Sequence, residues 1–331
     1  MCAKLSRNSK PKRILVVSMT NIGDVLLTCP VIDILRNDFP QAKMDVVVGP
    51  RTAGLFGDNP NFNIKVFNKQ SSIKEKWAWF SDLHLAHYDC VVDLRHTMLP
   101  ILLMPKYATP VLFRKPFTGH KKDIHLNRLR ELYDFDSISH KPVAVLTTKD
   151  DEEFFEKALF SDLQGKKFVV IAPGAADAAK RWHPKGFAAL ADYLSSSVKV
   201  IFVGDLKDAE IVDHIQGLMK MPSVSLAGRI NLRQLAFILK KCSGAVVHDS
   251  GVMHLASYFN VPLIALWGPT SLERYAPWGK QSGIVRRNEE CVRCREPKSD
   301  VTHTCMSFIE VNDVINAIKQ GDFLNENAKD F

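Results

Sequence analysis

The sequence predicts a two-domain α/β protein built on parallel sheets. Three observations carry this. The chain has 331 residues, more than one hydrophobic core usually serves, since domains typically run to about 100–200 residues. Short continuous apolar runs of strand length alternate with longer runs of helical spacing. That alternation breaks near residues 134–150 and then starts again. Strands alternating with helices imply parallel pairing and right-handed crossovers.

The first strand is Arg13–Ser18, an unbroken apolar run of the kind a strand buried on both faces requires. The loop Met19–Gly23 leads into a helix over Val25–Phe39, with Val25, Leu26, Ile32 and Leu35 at helical spacing and Pro30 placed to kink it. Met44–Gly49 and Ile64–Phe67 read as strands and Ser72–His87 as an aromatic-rich helix. Its Trp77, Trp79 and Phe80 suit core packing or contact with a membrane. Cys90–Leu94 is another buried strand, Val111–Phe113 a further candidate and Asp123–Tyr133 a helix. Pro142 and the polar run from Thr147 mark the boundary, giving domains 1–148 and 149–331. The second half predicts helix Asp151–Leu163, strand Phe168–Ala172, helix Pro184–Ser195, strand Lys199–Val203 and helix Lys207–Met219. It continues with strand Ser223–Leu226, helix Asn231–Lys241, strand Gly244–His248, helix Gly251–Phe259 and strand Pro262–Trp267. Asn312–Gln320 is a closing helix, free to pack back toward the first domain.

Composition narrows the class. Apolar residues make up 46% and charged residues 24%, ordinary for a folded globular protein. No apolar stretch approaches the roughly 20 residues of a spanning helix. Met1–Arg13 is basic and polar and lacks the apolar core of a signal peptide, so a cytoplasmic protein is expected; a monomer is expected as well. The net charge of +8 suits anionic lipid or phosphorylated small molecules. Nucleic acid is not expected, because no nucleic-acid-binding motif is present. Of seven cysteines, Cys29, Cys90 and Cys242 lie in apolar runs and read as buried thiols.

In open α/β sheets ligands bind beyond the carboxyl ends of the strands, so the loops that follow strands are where chemistry is sought. Ser18–Asp24 holds one glycine, not the G-x-G-x-x-G of a dinucleotide-binding enzyme. It offers Asp24 at a helix start, as a cap or as a carboxylate for chemistry. Pro173–Pro184 brings small residues, then Lys180 and Arg181 before a helix that starts with proline. That pattern suits a phosphate, or an exposed connector. His248–His254 links a buried strand to a helix, with Asp249, Ser250 and Gly251 at the junction. Ser250 lacks the G-x-S-x-G turn of a hydrolase. Gly268, Pro269 and Thr270 form a tight turn after the last strand. Asp134-Phe135-Asp136 matches a D-x-D metal signature but falls in the linker.

Three stretches give these loops a family likeness. They are RILVVSMTNIGDVLLTCPVIDILRNDFPQAKMDVVV, PGAADAAKRWHPKGFAAL and VVHDSGVMHLASYFNVPLIALWGPTS. In them the chain resembles glycosyltransferase family 9, the ADP-heptose:lipopolysaccharide heptosyltransferases, over nearly its whole length. The resemblance implies a GT-B fold, with two Rossmann-like domains facing a central cleft, the N-terminal one for the acceptor and the C-terminal one for the nucleotide sugar. It implies inverting transfer of a heptose from ADP-heptose to the lipopolysaccharide inner core, with no cofactor or metal. The catalytic positions fall on Asp24 and Lys180. Donor contacts fall on Gly174, Ala175, Ala176, Lys180, Asp208, Asp249, Ser250, Gly251, His254, Gly268, Pro269 and Thr270. The side chains of Ala175 and Ala176 cannot make the hydroxyl bonds that relatives can make there.

The acceptor would be an anionic lipid-linked saccharide at the cytoplasmic membrane face. Asn21 and Gly23, with the basic residues Arg114, Lys115, His120, Lys121, Lys122 and Arg128, could meet it, or the basic run could be a solvated face. Asp24 would take the acceptor proton, and Lys180 and helix N-termini would stabilise the departing diphosphate. Cys291, Cys294, His303 and Cys305 carry the ligands of a Cys3His zinc site or are reduced thiols in a compact loop.

Overall fold

A computed structural model describes residues 3–57, 59–111, 117–135, 141–163, 166–296 and 301–321. The chain divides into two compact units, Met1–Leu146 and Thr147–Phe331.

The first unit runs β1 (Arg13–Val17), α1 (Ile22–Asp38), β2 (Lys43–Val48), α2 (Pro50–Phe56), β3 (Asn63–Val66), α3 (Ile73–Leu85), β4 (Cys90–Asp93), α4 (Leu99–Leu103), β5 (Tyr107–Ala108) and α5 (Lys121–Arg130). Its strands pair in parallel in the order β3-β2-β1-β4-β5. Ile14–Val17 at the centre are wholly buried, as the unbroken apolar run requires. α1 carries Pro30 inside it and buries Val25–Cys29 and Val31–Leu35. α3 starts at a capping box, in which Ser72 Oγ accepts from the Glu75 N–H and Glu75 accepts from the Ser72 N–H. Among the described residues the strand that follows β4 is Tyr107–Ala108, paired with Cys90 and Val91. The expected strand Val111–Phe113 runs into undescribed chain, since residues 112 and 113 lie outside the described residues.

The second unit runs α6 (Lys149–Leu163), β6 (Phe168–Ala172), α7 (Pro184–Ser195), β7 (Lys199–Phe202), α8 (Ala209–Leu218), β8 (Val224–Ser225), α9 (Leu232–Lys241), β9 (Gly244–His248), α10 (Gly251–Tyr258), β10 (Leu263–Trp267), α11 (Leu272–Tyr275), β11 (Ser282–Arg286), α12 (Val292–Arg295) and α13 (Val311–Gln320). Six parallel strands stand in the order β11-β10-β9-β6-β7-β8. The main core gathers Val169, Phe187, Phe202, Val246 and Leu266 around buried Trp182. α13 adds Val314 and Ile318 to this same core, so the closing helix packs against the second unit.

Each sheet has one place where the strand order reverses, between β1 and β4 in the first unit and between β6 and β9 in the second. Adjacent strands there send their connections to opposite faces and leave a crevice at their carboxyl ends. Among the described residues no helix is long and apolar enough to cross a membrane.

Candidate functional site

In the second unit, the loops that leave β6 and β9 flank the crevice. Lys180 comes from the first loop and Asp249 from the second. Lys180 Nζ lies 2.6 Å from Asp249 Oδ2, with the carboxylate side chain 6% exposed and the lysine 25%. Two residues 69 positions apart thus close a charged pair at the mouth of the sheet. The loop leaving β6, Pro173–Pro184 (loop two), is shaped by its own bonds. The Asp177 carboxylate accepts from the Ala179 N–H at 2.9 Å, and Arg181 Nε donates to the Ala175 carbonyl at 2.8 Å. Ala175 is buried and Ala176 exposed.

Gly174 has no room for a side chain: a Cβ there would stand 2.2 Å from Cγ of Asp208. That close approach places the Asp208 carboxyl beside the loop, where burial raises its pKa despite the Arg181 charge nearby. Ser250, Gly251 and His254 open α10. Ser250 supplies no capping bond, and its buried hydroxyl finds no partner among the described residues. His254 is buried, and its ring stacks on Trp278 at 5.4 Å. The turn after β10 closes as Trp267 Nε1 donates to the Thr270 carbonyl at 2.7 Å. Gly268 lies against loop two, because a Cβ there would sit 3.3 Å from Lys180 Cα. Pro269 and Thr270 line a cavity with Arg286 and Arg293.

Sequence reasoning missed the support beneath this loop. Trp182 is fully buried and donates its backbone N–H to His248 Nε2 at 3.0 Å. Its indole N–H donates to the Ile309 carbonyl at 2.8 Å. Accepting at Nε2 leaves the His248 proton on Nδ1, and burial pushes its pKa down to about 4. The sequence placed Trp182 only within a loop, and neither its burial nor its partner 127 residues away was visible there.

In the first unit, Asp24 sits in the first turn of α1 at the β1–β4 crevice. Asn21 Nδ2 donates to Asp24 Oδ2 at 3.1 Å, and Asp24 and Gly23 are half-buried. The loop leaving β4 flanks the same crevice, and the sequence reading passed over it. There the buried Asp93 carboxylate accepts from the backbone N–H groups of Arg95 and Thr97. His96 between them has φ 56°, a left-handed conformation that few non-glycine residues adopt.

Of the basic residues, His120 caps α5 and accepts from the Lys122 N–H at 3.2 Å. Lys121 and Lys122 occupy its first turn, and Lys122 pairs with Asp123 at 2.7 Å. Arg128 is not on that surface. It is buried and bonded to Glu131 at 2.7 Å and to the Pro110 carbonyl, so it serves the packing of α5. Arg114, Lys115 and Asp136 lie outside the described residues. Trp77 is 67% exposed, whereas Trp79 and Phe80 pack on a core cluster with Leu83.

The cysteines behave in two ways. Cys29, Cys90 and Cys242 are buried thiols outside any disulfide, and burial raises the pKa of Cys29 and Cys90. The ligand atoms of Cys291, Cys294, His303 and Cys305 instead all lie within 4.8 Å of one another.

Two parallel α/β units, each with polar side chains gathered at its own switch point, are the architecture of the GT-B glycosyltransferases. The glycosyltransferase family 9 (heptosyltransferase) model matches residues 121–304, and the chain belongs to that family. It is 24% identical over 326 residues to a lipooligosaccharide heptosyltransferase 2 of Campylobacter jejuni, covering 91% of this chain and 96% of that one. A family 9 glycosyl transferase structure from Veillonella parvula superposes with a TM-score of 0.81 at 23% identity, covering 97% and 98% of the two chains. The E. coli ADP-heptose lps heptosyltransferase II superposes at 0.74 with 21% identity, covering 96% and 100%.

Proposed function

We propose that this chain is an inverting heptosyltransferase. It moves a heptose from ADP-heptose to an anionic lipid-linked saccharide of the lipopolysaccharide inner core, as a monomer peripheral to the cytoplasmic membrane face. The single observation that carries the reading is the Lys180–Asp249 pair at the switch point of the second unit, 2.6 Å apart. It lies beside a buried Ser250 hydroxyl that no described residue satisfies. A buried hydroxyl without a partner costs about 1–3 kcal/mol, and a polar ligand removes that cost. The family match and relatives named for this reaction support the substrate class.

In this reading the second unit holds the donor. Asp249 holds the Lys180 ammonium over the crevice. The ADP diphosphate meets Lys180 and the N–H groups at the start of α10. Gly174 and Ala175 let the backbone approach the nucleotide, and Asp208, Ala176, His254 and the Gly268–Thr270 turn complete the wall. The first unit serves the acceptor: Asp24 takes the proton of the attacking hydroxyl, oriented by Asn21, with Gly23 allowing close approach. Lys121, Lys122 and His120 meet acceptor anions. As the glycosidic bond breaks, negative charge grows on the diphosphate. A fixed cation there stabilises the transition state more than the ground state, by about 3 kcal/mol.

The test is Asp24→Asn, followed by ADP-induced thermal shift and turnover. A general base contributes about 10²–10⁴-fold. Turnover is expected to fall by at least about 10²-fold while the ADP shift stays at the wild-type value. Unchanged turnover would sink the assignment of Asp24, and a shift with UDP but not ADP would sink the donor assignment.

A further inference from the structure

We propose that Cys291, Cys294, His303 and Cys305 form a structural metal site of the second unit that takes zinc in tetrahedral coordination. Three thiols and an imidazole do not converge by hydrophobic packing alone, because imidazole is polar and gains nothing from an apolar neighbourhood. Here all four ligand atoms lie within 4.8 Å of one another. Cys294 Sγ stands 3.5 Å from His303 Nδ1. A tetrahedral ion with bonds of about 2.3 Å to sulfur and about 2.0 Å to nitrogen sets that edge at roughly 3.6 Å.

The local backbone is built for the arrangement. Cys291 precedes α12 and Cys294 lies within it, so one turn presents both sulfurs. The Cys294 and Arg295 N–H groups donate to the Cys291 carbonyl at 3.0 and 3.1 Å. Thr304 N–H donates to Cys291 Sγ at 3.3 Å, a bond that favours a thiolate. Cys291 and Cys305 are fully buried, while Cys294 and His303 are partly open, which leaves the ion a path in. Sulfur and imidazole donors in this number suit a d¹⁰ divalent ion, and carboxylates, which would suit harder ions, are absent from the set. Three thiolates and one divalent cation leave one negative charge. Arg286, Arg293 and Arg295 line the cavity that Cys294 and His303 also border. As the ion binds, the thiols release their protons to solvent.

The ion ties residues 291–294 to residues 303–305, and their chain neighbours Asn288 and Met306 brace the Gly268–Thr270 turn (loop four). Asn288 Nδ2 donates to the Gly268 carbonyl at 3.0 Å, and a Cβ at Gly268 would stand 3.3 Å from Met306 Sδ. The consequence for donor binding rests on the function proposed above, but the site itself does not.

The test uses the full chain expressed with zinc present. Elemental analysis is expected to find about one zinc per chain. Cobalt(II) exchange is expected to give the intense ligand-field bands of a tetrahedral ion and a thiolate-to-cobalt charge-transfer band. Cys294→Ser and His303→Ala, at the partly open positions, are expected to weaken zinc by more than the roughly 10–100-fold that outer-shell partners command. ADP affinity is expected to fall when zinc is removed. Loss of zinc binding with ADP affinity unchanged would overturn only the link to loop four. Folded wild-type chain without metal, a disulfide among these cysteines, an octahedral cobalt spectrum, or iron in place of zinc would overturn the assignment.

Discussion

At the residue scale the informative contact is Lys180 with Asp249. A lysine on an exposed loop gains little from a carboxylate, because surface pairs are worth about 0–1 kcal/mol. Asp249 is different, because its side chain is 6% exposed. Removing the lysine would leave a buried charge uncompensated, at a cost of about 3–5 kcal/mol. Lys180→Met is therefore expected to lower the melting temperature and to weaken ADP. Adding Asp249→Asn is expected to recover most of the melting temperature but not the ADP affinity, since the fixed cation is still missing. Calorimetric melting and ADP titration of the two variants check this. Recovery of both would make the pair structural only. The sequence showed Lys180 and Asp249 as separate loop residues. What it hid was their meeting, which depends on β6 and β9 being neighbours although β7 and β8 lie between them in the chain.

At the element scale, α3 and α4 pack on one small cluster through Leu83 and Leu99 and present apolar side chains outward. Trp77 is 67% exposed and Met104, which ends α4, is 79% exposed, with Ile73, Ile101 and Leu102 alongside. Lys74 and Lys76 share α3 with Trp77. Aromatic and apolar residues interleaved with lysine suit an anionic lipid surface. Wild-type protein is expected to co-sediment with anionic vesicles. Trp77→Ser and Met104→Ser are each expected to weaken partition about tenfold, from the roughly 1.5–3 kcal/mol of burying such a side chain. Equal partition of all three would refute the contact. The long central strands and helices were legible because their apolar periods are unambiguous. α2 and α4 were not, because Pro50 and Pro100 read as breaks, whereas each sits at the start of a short helix where its missing N–H costs nothing. β11 escaped notice because Ser282 and Gly283 open it and only Ile284 and Val285 carry a strand signal. Tyr107–Ala108 is too short to have one.

At the scale of the whole molecule, each unit hides a histidine kept neutral by burial. His125 in the first unit and His248 in the second are each pushed down to about 4, His125 by burial and then by the Lys121 charge. Below the ordinary histidine value near 6.5 the unfolded chain binds protons that the folded chain refuses, so stability is full above pH 6.5 and is lost as pH falls toward 4. A shift of this size corresponds to at most about 3 kcal/mol per site. Melting temperature is expected to drop between pH 6.5 and 4, with a shallower drop in His248→Gln, which keeps an acceptor for the Trp182 N–H. Parallel pH profiles of the two proteins would contradict that. Trp182 bears on how the molecule is made as well as on how it stands. Its indole is tethered to the carbonyl of Ile309, so on the ribosome loop two has its bonds to His248 and Asp249 within reach before this last tether can form. The proposed donor loop therefore gains its final brace late in translation, and a nascent chain halted upstream of Ile309 would lack the indole anchor.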